Sequence, residues 1–278
     1  MLCGIPIFDG FIHWKASIRQ IEYCKMKLII EAISDKGVVR TTNEDLILVG
    51  NDTLRDAAKR YEFDFSTYEH PFMIAVADGL GGHKAGAAAS EYVLNSMAKA
   101  VNQLPLNLPR NTVKSYFTAT SKTIHDCILD EGINDYSKKG MASTFSGVLL
   151  YGSKVFVIHS GDSRIYHYST GKNQLIRLSR DHSLQELDGN DGALKTAIVN
   201  AFGANKDIFI DFNEITNKLQ DTDLLLICSD GLTKELADEQ IAAAISESNS
   251  YLKLAEDAKK QGGNDNISLV VIRYMKYW

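Results

Sequence analysis

Two apolar runs in this chain stop at an aspartate. FMIAVA (72–77) is followed by Asp78, and LLLIC (224–228) by Ser229 and Asp230. Runs of five or six apolar residues, bounded by glycine and rich in branched side chains, read as buried strands. A carboxylate at the end of such a strand stands at the rim of a core, where lost hydration penalises its charge unless something compensates. Any fold for this chain must gather these strands and still provide for their acids.

Further acids occupy comparable places. Asp162 lies in VFVIHSGDSRIYHY, in the turn between two strand-like segments. Asp265 stands just before ISLVVIRY, and Arg40, Glu44 and Asp45 crowd the turn SDKGVVRTTNED ahead of LILVG. Each has a plain explanation alone, because Asp-Gly and Gly-Asp are ordinary turn dipeptides. Both readings stand for any one residue. If the strand ends converge, however, the carboxylates repel one another and need cations. Carboxylate and carbonyl oxygens suit Mg²⁺ or Mn²⁺, and an arginine beside them suits a phosphate, which a guanidinium grips in two-pronged fashion. The loop after Asp78, GLGGHKAG, carries Gly79, Gly81 and Gly82, which allow a tight turn and close approach of the backbone.

The spacing predicts strands over 28–33, 45–49, 72–77, 144–151, 154–159, 164–168, 223–228 and 267–274. It predicts helices over 84–101, 111–130, 236–247 and 250–260. Neighbouring strands with grouped helix pairs indicate antiparallel sheet plus helices, an α+β class, rather than alternating β-α-β. At 278 residues, 45% of them hydrophobic, the chain can bury a sizeable core. A mixed aromatic leader containing Phe8, Phe11 and Trp14 gives way near Lys25–Lys27 to KLIIEAIS. Residues 1–26 are therefore expected to be an N-terminal extension and 27–278 one domain.

Composition excludes several classes. A net charge of −5 gives no general attraction to nucleic acid or to an anionic membrane. No apolar stretch approaches the ~20 residues of a spanning helix, and the leader lacks a basic n-region. The four cysteines show no CxxC spacing, which disfavours a zinc site or disulfide framework and points to a reducing cytoplasm. The glycine loop lacks the Walker Lys-Ser/Thr ending. Leu80 stands two residues after Asp78, where a haloacid-dehalogenase-like phosphatase needs a second aspartate, and a CxxxxxR motif is absent. DGNDG at 188–192 lacks the spacing of an EF-hand and reads as a turn. His159, His167 and His182 are expected to pack and hydrogen-bond, and Cys228 to be core.

The ordered series SDKGVVRTTNED (34–45), AVADGLGGHKAG (75–86), MASTFSGVLL (141–150), HSGDSRIY (159–166), LSRDHS (178–183), LLLICSDGL (224–232) and GGNDNISLVV (262–271) resembles the metal-dependent protein phosphatase family, often called protein phosphatase 2C, in its bacterial form. The resemblance implies two packed antiparallel sheets, a β-sandwich, flanked by pairs of antiparallel helices. It implies hydrolysis of phosphoserine and phosphothreonine by a hydroxide bridging two Mn²⁺ or Mg²⁺ ions. Phosphorylated proteins, the products of a Ser/Thr kinase, would be the substrates, and the enzyme would act as a cytoplasmic monomer. Asp78 and the Gly79 carbonyl would bind the ion pair, Asp230 and Asp265 would complete it, and Asp162 would help hold a third, weaker ion. Arg40 would bind phosphate, with Glu44 and Asp45 lining the metal water shell. Leu80 replaces the family's methionine, and Ala142-Ser143-Thr144 its Gly-Thr-Thr. His83 matches a bacterial histidine that would orient the loop. A phosphatase fold serving as a phosphopeptide reader or adaptor is the competing reading. The connection after Ser183 is short, and its Glu186, Asp188 and Asp191 are expected to be exposed charges that set peptide preference.

Overall fold

Successive residues of the last long strand-like run go to opposite apolar layers. Ile267, Leu269 and Val271 enter one, while Val270, Ile272 and Tyr274 enter another. A strand can be apolar on both faces only when both are covered, so this one segment already demands three layers. The computed structural model describes residues 25–65, 70–82, 84–189 and 196–277. The leader aromatics, His83 and Asp191 lie outside the described residues, as does the side chain of Asp188.

The chain begins with β1 (Lys25–Asp35), β2 (Leu46–Val49), β3 (Asp52–Leu54), β4 (Ala57–Asp64), β5 (Phe72–Ala77) and the short β6 (Gly79–Leu80). A helix pair follows, α1 (Lys84–Gln103) and α2 (Arg110–Asn134). Next come β7 (Ala142–Ser143), β8 (Phe145–Tyr151), β9 (Lys154–Ser160), β10 (Arg164–Ser169), β11 (Gln174–Arg177), α3 (Leu184–Asp188) and β12 (Asp211–Glu214). The remainder is β13 (Leu224–Cys228), α4 (Asp230–Thr233), α5 (Asp238–Ile245), α6 (Ser250–Gln261) and β14 (Ile267–Tyr277).

One six-stranded sheet has the order β11-β10-β13-β14-β1-β4 and the other β12-β9-β8-β5-β2-β3. All pairings are antiparallel. The central layer between the sheets takes Leu28 and Ile30 of β1, Ile74 and Val76 of β5, and Ile227 of β13. Met73 and Ala75 of β5 face the other way, onto α1 and α2 with Val93, Met97 and Phe117. Leu224, Leu226 and Cys228 of β13 pack against α5 and α6 through Ile241, Leu254 and Ala258. The result is the expected four-layer α-β-β-α sandwich.

Every predicted strand and helix is present, with ends shifted by a few residues. The helix expected over 236–247 is trimmed to Asp238–Ile245 because Ala237 is extended. The strands missed from sequence sit at sheet edges. β4, AAKRYEFD, exposes most of its length, so no buried run marks it. β3, β11 and β12 span only three or four residues each.

The two sheets bring acidic strand ends to one side. Asp78 follows β5 in one sheet, and Asp230 follows β13 in the other. β14 lies antiparallel beside β13 with Cys228 opposite Leu269, so the residues preceding β14 meet those following β13. Packing there is tight: a Cβ on Gly231 would stand 2.0 Å from the Asn266 carbonyl oxygen and 3.4 Å from Asp265 Cβ. Gly231→Ala must therefore push α4 away from the entry to β14. The expected cost is ~1–3 kcal/mol, measured as a lower urea midpoint with the m-value unchanged.

Candidate active site

Asp78 is fixed through its backbone. Its N–H donates to Thr144 Oγ1 at 2.9 Å, and its carbonyl accepts from the Thr144 N–H at 2.9 Å. Thr144 Oγ1 lies 2.7 Å from Ser163 Oγ, which ties this loop to the turn carrying Asp162. That turn is held from behind by His182, whose Nδ1 accepts from the Gly161 N–H at 3.2 Å and from Asn200 Nδ2 at 2.7 Å. The His182 N–H in turn donates to the Gly161 carbonyl at 2.8 Å. The small polar residues of MASTFSG and the histidine of LSRDHS thus serve as supports for acids.

The glycine after Asp78 is required by the packing of the chain on itself. A Cβ on Gly79 would lie 2.1 Å from the Gly86 carbonyl oxygen and 2.7 Å from that of Glu44. The first turn of α1 packs directly on this residue, so close approach of protein backbone already demands glycine there.

On the second sheet, Asp230 opens α4 and Asp265 precedes β14. Asn266 organises the approach of the first loop to this pair. Its Oδ1 accepts from the Glu44 N–H, and its Nδ2 donates to the carbonyls of Lys36 and Thr42, each at 2.9 Å. Arg40 Nη2 comes to 3.0 Å from both oxygens of Asp265. Lys234 Nζ lies 2.5 Å from Asp230 Oδ2 and 3.3 Å from Asp265 Oδ2. Neither Asn266 nor Lys234 stands out in the sequence. The Asn flanking Asp265 and the basic residue four positions after Asp230 are the signals that could have revealed them.

A cavity of about 580 Å³ is lined by Arg40, Glu44, Asp78, Gly79, Asp162, Asp230 and Asp265, with Lys234, Arg164 and Asp181 beside them. Asp45 is not at this wall. It is fully buried beneath, where Ser229 Oγ donates to its Oδ2 at 2.7 Å. Glu186 is not a free surface charge either: both its oxygens hold Arg177, at 2.8 and 2.9 Å, and one accepts from the Asp181 N–H. Glu186 is exposed, as expected, with its charge paired to Arg177. Of the histidines, His167 pairs with Asp223 at 2.7 Å, and His159 bridges Ser146 and the Arg180 carbonyl.

Residues 52–264 match the family described as protein phosphatase 2C. The chain belongs to this family. Among its relatives is the serine/threonine phosphatase stp of Listeria welshimeri, 27% identical over 253 residues, covering 86% of this chain and 93% of the relative. PstP of Mycobacterium tuberculosis is 26% identical over 259 residues, 88% of this chain but only 45% of PstP. The fold matches the S. agalactiae serine/threonine phosphatase with a TM-score of 0.73 at 24% identity, covering 88% and 98% of the two chains. It also matches the PstP catalytic domain in complex with two manganese ions, with a TM-score of 0.68 at 26% identity and 90% and 99% coverage.

The acids of this phosphatase 2C site fit hard cations. Burial first, then the charges of Asp45 and Asp230, push the Asp78 carboxyl well above the usual range. Burial, then Asp230, raises Asp162 to about 7. Burial raises Asp45 to about 7 against the pull of its serine hydrogen bonds, and burial raises Asp230 despite Lys234. One oxygen of each of Asp45, Asp162 and Asp230 is buried without a hydrogen-bond partner. Unsatisfied buried oxygens are costly and mark places where another partner belongs. Among the described residues no three acidic, histidine or cysteine side chains already enclose one point. Mg²⁺ and its analogues keep several waters and need only one or two carboxylates, so an all-protein cage is not required. The donor set fits.

These shifts have a pH consequence. Asp45 and Asp162 ordinarily titrate at 3.8 and are raised to about 7 in the folded protein. Between those values the metal-free folded state holds more protons than the unfolded one, so their contribution to stability falls as pH rises. Buried His159, held neutral down to about 3, acts oppositely below its ordinary 6.5 by favouring the unfolded state as pH falls. It is common to metal-free and metal-loaded protein and cancels between them. The gain in melting temperature on adding excess Mg²⁺ is therefore expected to be larger at about pH 7.5 than at about pH 5.5. Equal gains in differential scanning calorimetry would contradict this electrostatic account.

Proposed function

We propose that the cavity hydrolyses phosphoserine and phosphothreonine in proteins, with Asp78, the Gly79 carbonyl, Asp230 and Asp265 holding two divalent cations and Asp162 a third. The chain is a serine/threonine protein phosphatase of the phosphatase 2C family, in keeping with its relatives. The observation that carries the residue roles is the gathering of Asp78, Asp162, Asp230 and Asp265 around one cavity with Arg40 at its edge, two of the four with an unsatisfied buried oxygen. When bound, the cations supply Lewis acidity, offsetting phosphoryl charge and making water a competent nucleophile near neutral pH.

The chain's own groups do the rest. Asp78 projects from a loop clamped twice by Thr144, so its carboxylate has little freedom to wander as charge changes around it. Arg40, with a half-exposed side chain, can swing from Asp265 to the substrate and grip two phosphoryl oxygens with its planar fork. Glu44 lines the same cavity and can accept hydrogen bonds from water there. Asp45 acts from behind, fixing Ser229 at the root of Asp230. Leu80 offers no proton to the departing serine or threonine oxygen.

Manganese or magnesium is the ion we assign, since all the donors are oxygens. PstP was obtained with two manganese ions, which supports the pair. The substrates we assign are phosphoproteins made by a Ser/Thr kinase, encountered in the cytoplasm by a monomeric enzyme. Among the described residues no helix is long and apolar enough to cross a membrane.

Hydrolysis of p-nitrophenyl phosphate and of a phosphothreonine peptide, each with Mn²⁺, Mg²⁺ or EDTA, tests the proposal. Activity is expected only with a divalent cation. Asp78→Asn and Asp230→Asn should each lower kcat by more than the ~10²–10³-fold typical of losing one oxyanion donor. A well-folded mutant that keeps most of its activity would overturn the assignment.

Arg40→Lys separates grip from charge. It retains a cation beside Asp265 but loses the bidentate fork. We expect KM for the phosphopeptide to rise about tenfold or more, with Mn²⁺ affinity by calorimetry unchanged. Collapse of metal binding with KM intact would reverse the roles given to Arg40 and the acids.

A further inference from the structure

Lys234 follows α4 immediately, and its N–H donates to the Asp230 carbonyl at 2.7 Å. That places its side chain one helical turn beyond Asp230, on the same face. From there Nζ reaches both Asp230 Oδ2 and Asp265 Oδ2, the two carboxylates contributed by the second sheet. The side chain is 57% exposed, so it is not locked in place by packing. It lines the same cavity as Arg40, which holds Asp265 from another side.

Two acids brought together by β13 and β14 thus already have a cation of the chain's own. A divalent ion seated on Asp230 and Asp265 must take these oxygens from the ammonium, and would then sit close to a displaced positive charge. The work of displacement subtracts from the ion's affinity. We propose that Lys234 is a built-in competitor for the metal, which neutralises Asp230 and Asp265 in the metal-free protein and weakens the binding of the ion they would hold. The inference rests on the metal-dependent reading above. It adds a residue whose effect on metal affinity has the opposite sign from that of the ligands: removing a ligand weakens binding, and removing Lys234 strengthens it.

The same contact stabilises the metal-free fold. With the ammonium gone, Asp230 loses its contact with Lys234 and Asp265 keeps Arg40. Loss of Lys234 should therefore lower the melting temperature in EDTA while leaving the metal-saturated melting temperature nearly unchanged. A side chain of merely structural value would lower both.

The test is calorimetric titration of the full chain with Mn²⁺, comparing wild type with Lys234→Met, Lys234→Gln and Lys234→Arg, alongside melting curves in EDTA and in excess Mn²⁺. In Lys234→Met and Lys234→Gln the Mn²⁺ dissociation constant for the affected ion should fall roughly three- to tenfold, the scale of a partly exposed ion pair plus a relieved repulsion. Lys234→Arg keeps the charge and should bind Mn²⁺ as wild type does. Gln serves beside Met in case the apolar side chain perturbs the exposed site. Unchanged or weaker Mn²⁺ binding in both neutral variants would overturn the proposal, as would equal loss of melting temperature with and without metal. A wild-type chain that binds no Mn²⁺ would instead overturn the metal-dependent reading itself, so the two failures are distinguishable.

Discussion

Asp78, Asp230 and Asp265 repel one another, and the sandwich holds them together nevertheless. Each stands beside a strand with an apolar run buried on both faces, so none can retreat without pulling that run out of the core. Fully burying one such side chain is worth roughly 1.5–3 kcal/mol, and each strand carries several. The repulsion is therefore small beside what anchors it, and it remains as a standing demand for positive charge. Arg40, Lys234 and the proposed cations are different answers to that demand. Burial first, and the neighbouring acids after it, raise the carboxyls of Asp45, Asp78 and Asp162, so protons answer part of the demand when cations do not.

Much of this was readable in the linear chain because burial on both faces leaves a mark. Leu224–Cys228 and Phe72–Ala77 are uninterrupted apolar runs for the same reason that they are central strands. β4 left no such mark, since an exposed edge strand may alternate charges and aromatics freely, as Lys59, Arg60, Tyr61 and Glu62 do. The aspartates were legible as a set because each interrupts an apolar run. What they meet was not. Asn266 works on Lys36, Thr42 and Glu44, more than two hundred residues away in sequence. Lys234 looks like any helix-end lysine until β14 delivers Asp265 beside it.

Two acids sit in settings that the sequence did not reveal. Asp45 belongs to the same acidic turn as Glu44, yet neighbouring residues on an extended chain point to opposite sides, so one lines the cavity and the other lies under it. Glu186 is polar, near a loop tip and next to the site, the description of an available charge. Arg177 on β11 pairs with it, and β11 was itself invisible from the sequence.

The double donation of Asn266 to the Lys36 and Thr42 carbonyls fastens both ends of the segment that carries Arg40. Asp265 is its immediate neighbour in the chain. The jaw that would seize a phosphate and the anvil on which it would be struck are thus riveted to one side chain. Thermal breathing that separates the two sheets would carry both together, so their spacing would be set by two short hydrogen bonds and one peptide link instead of by the looser fit between layers.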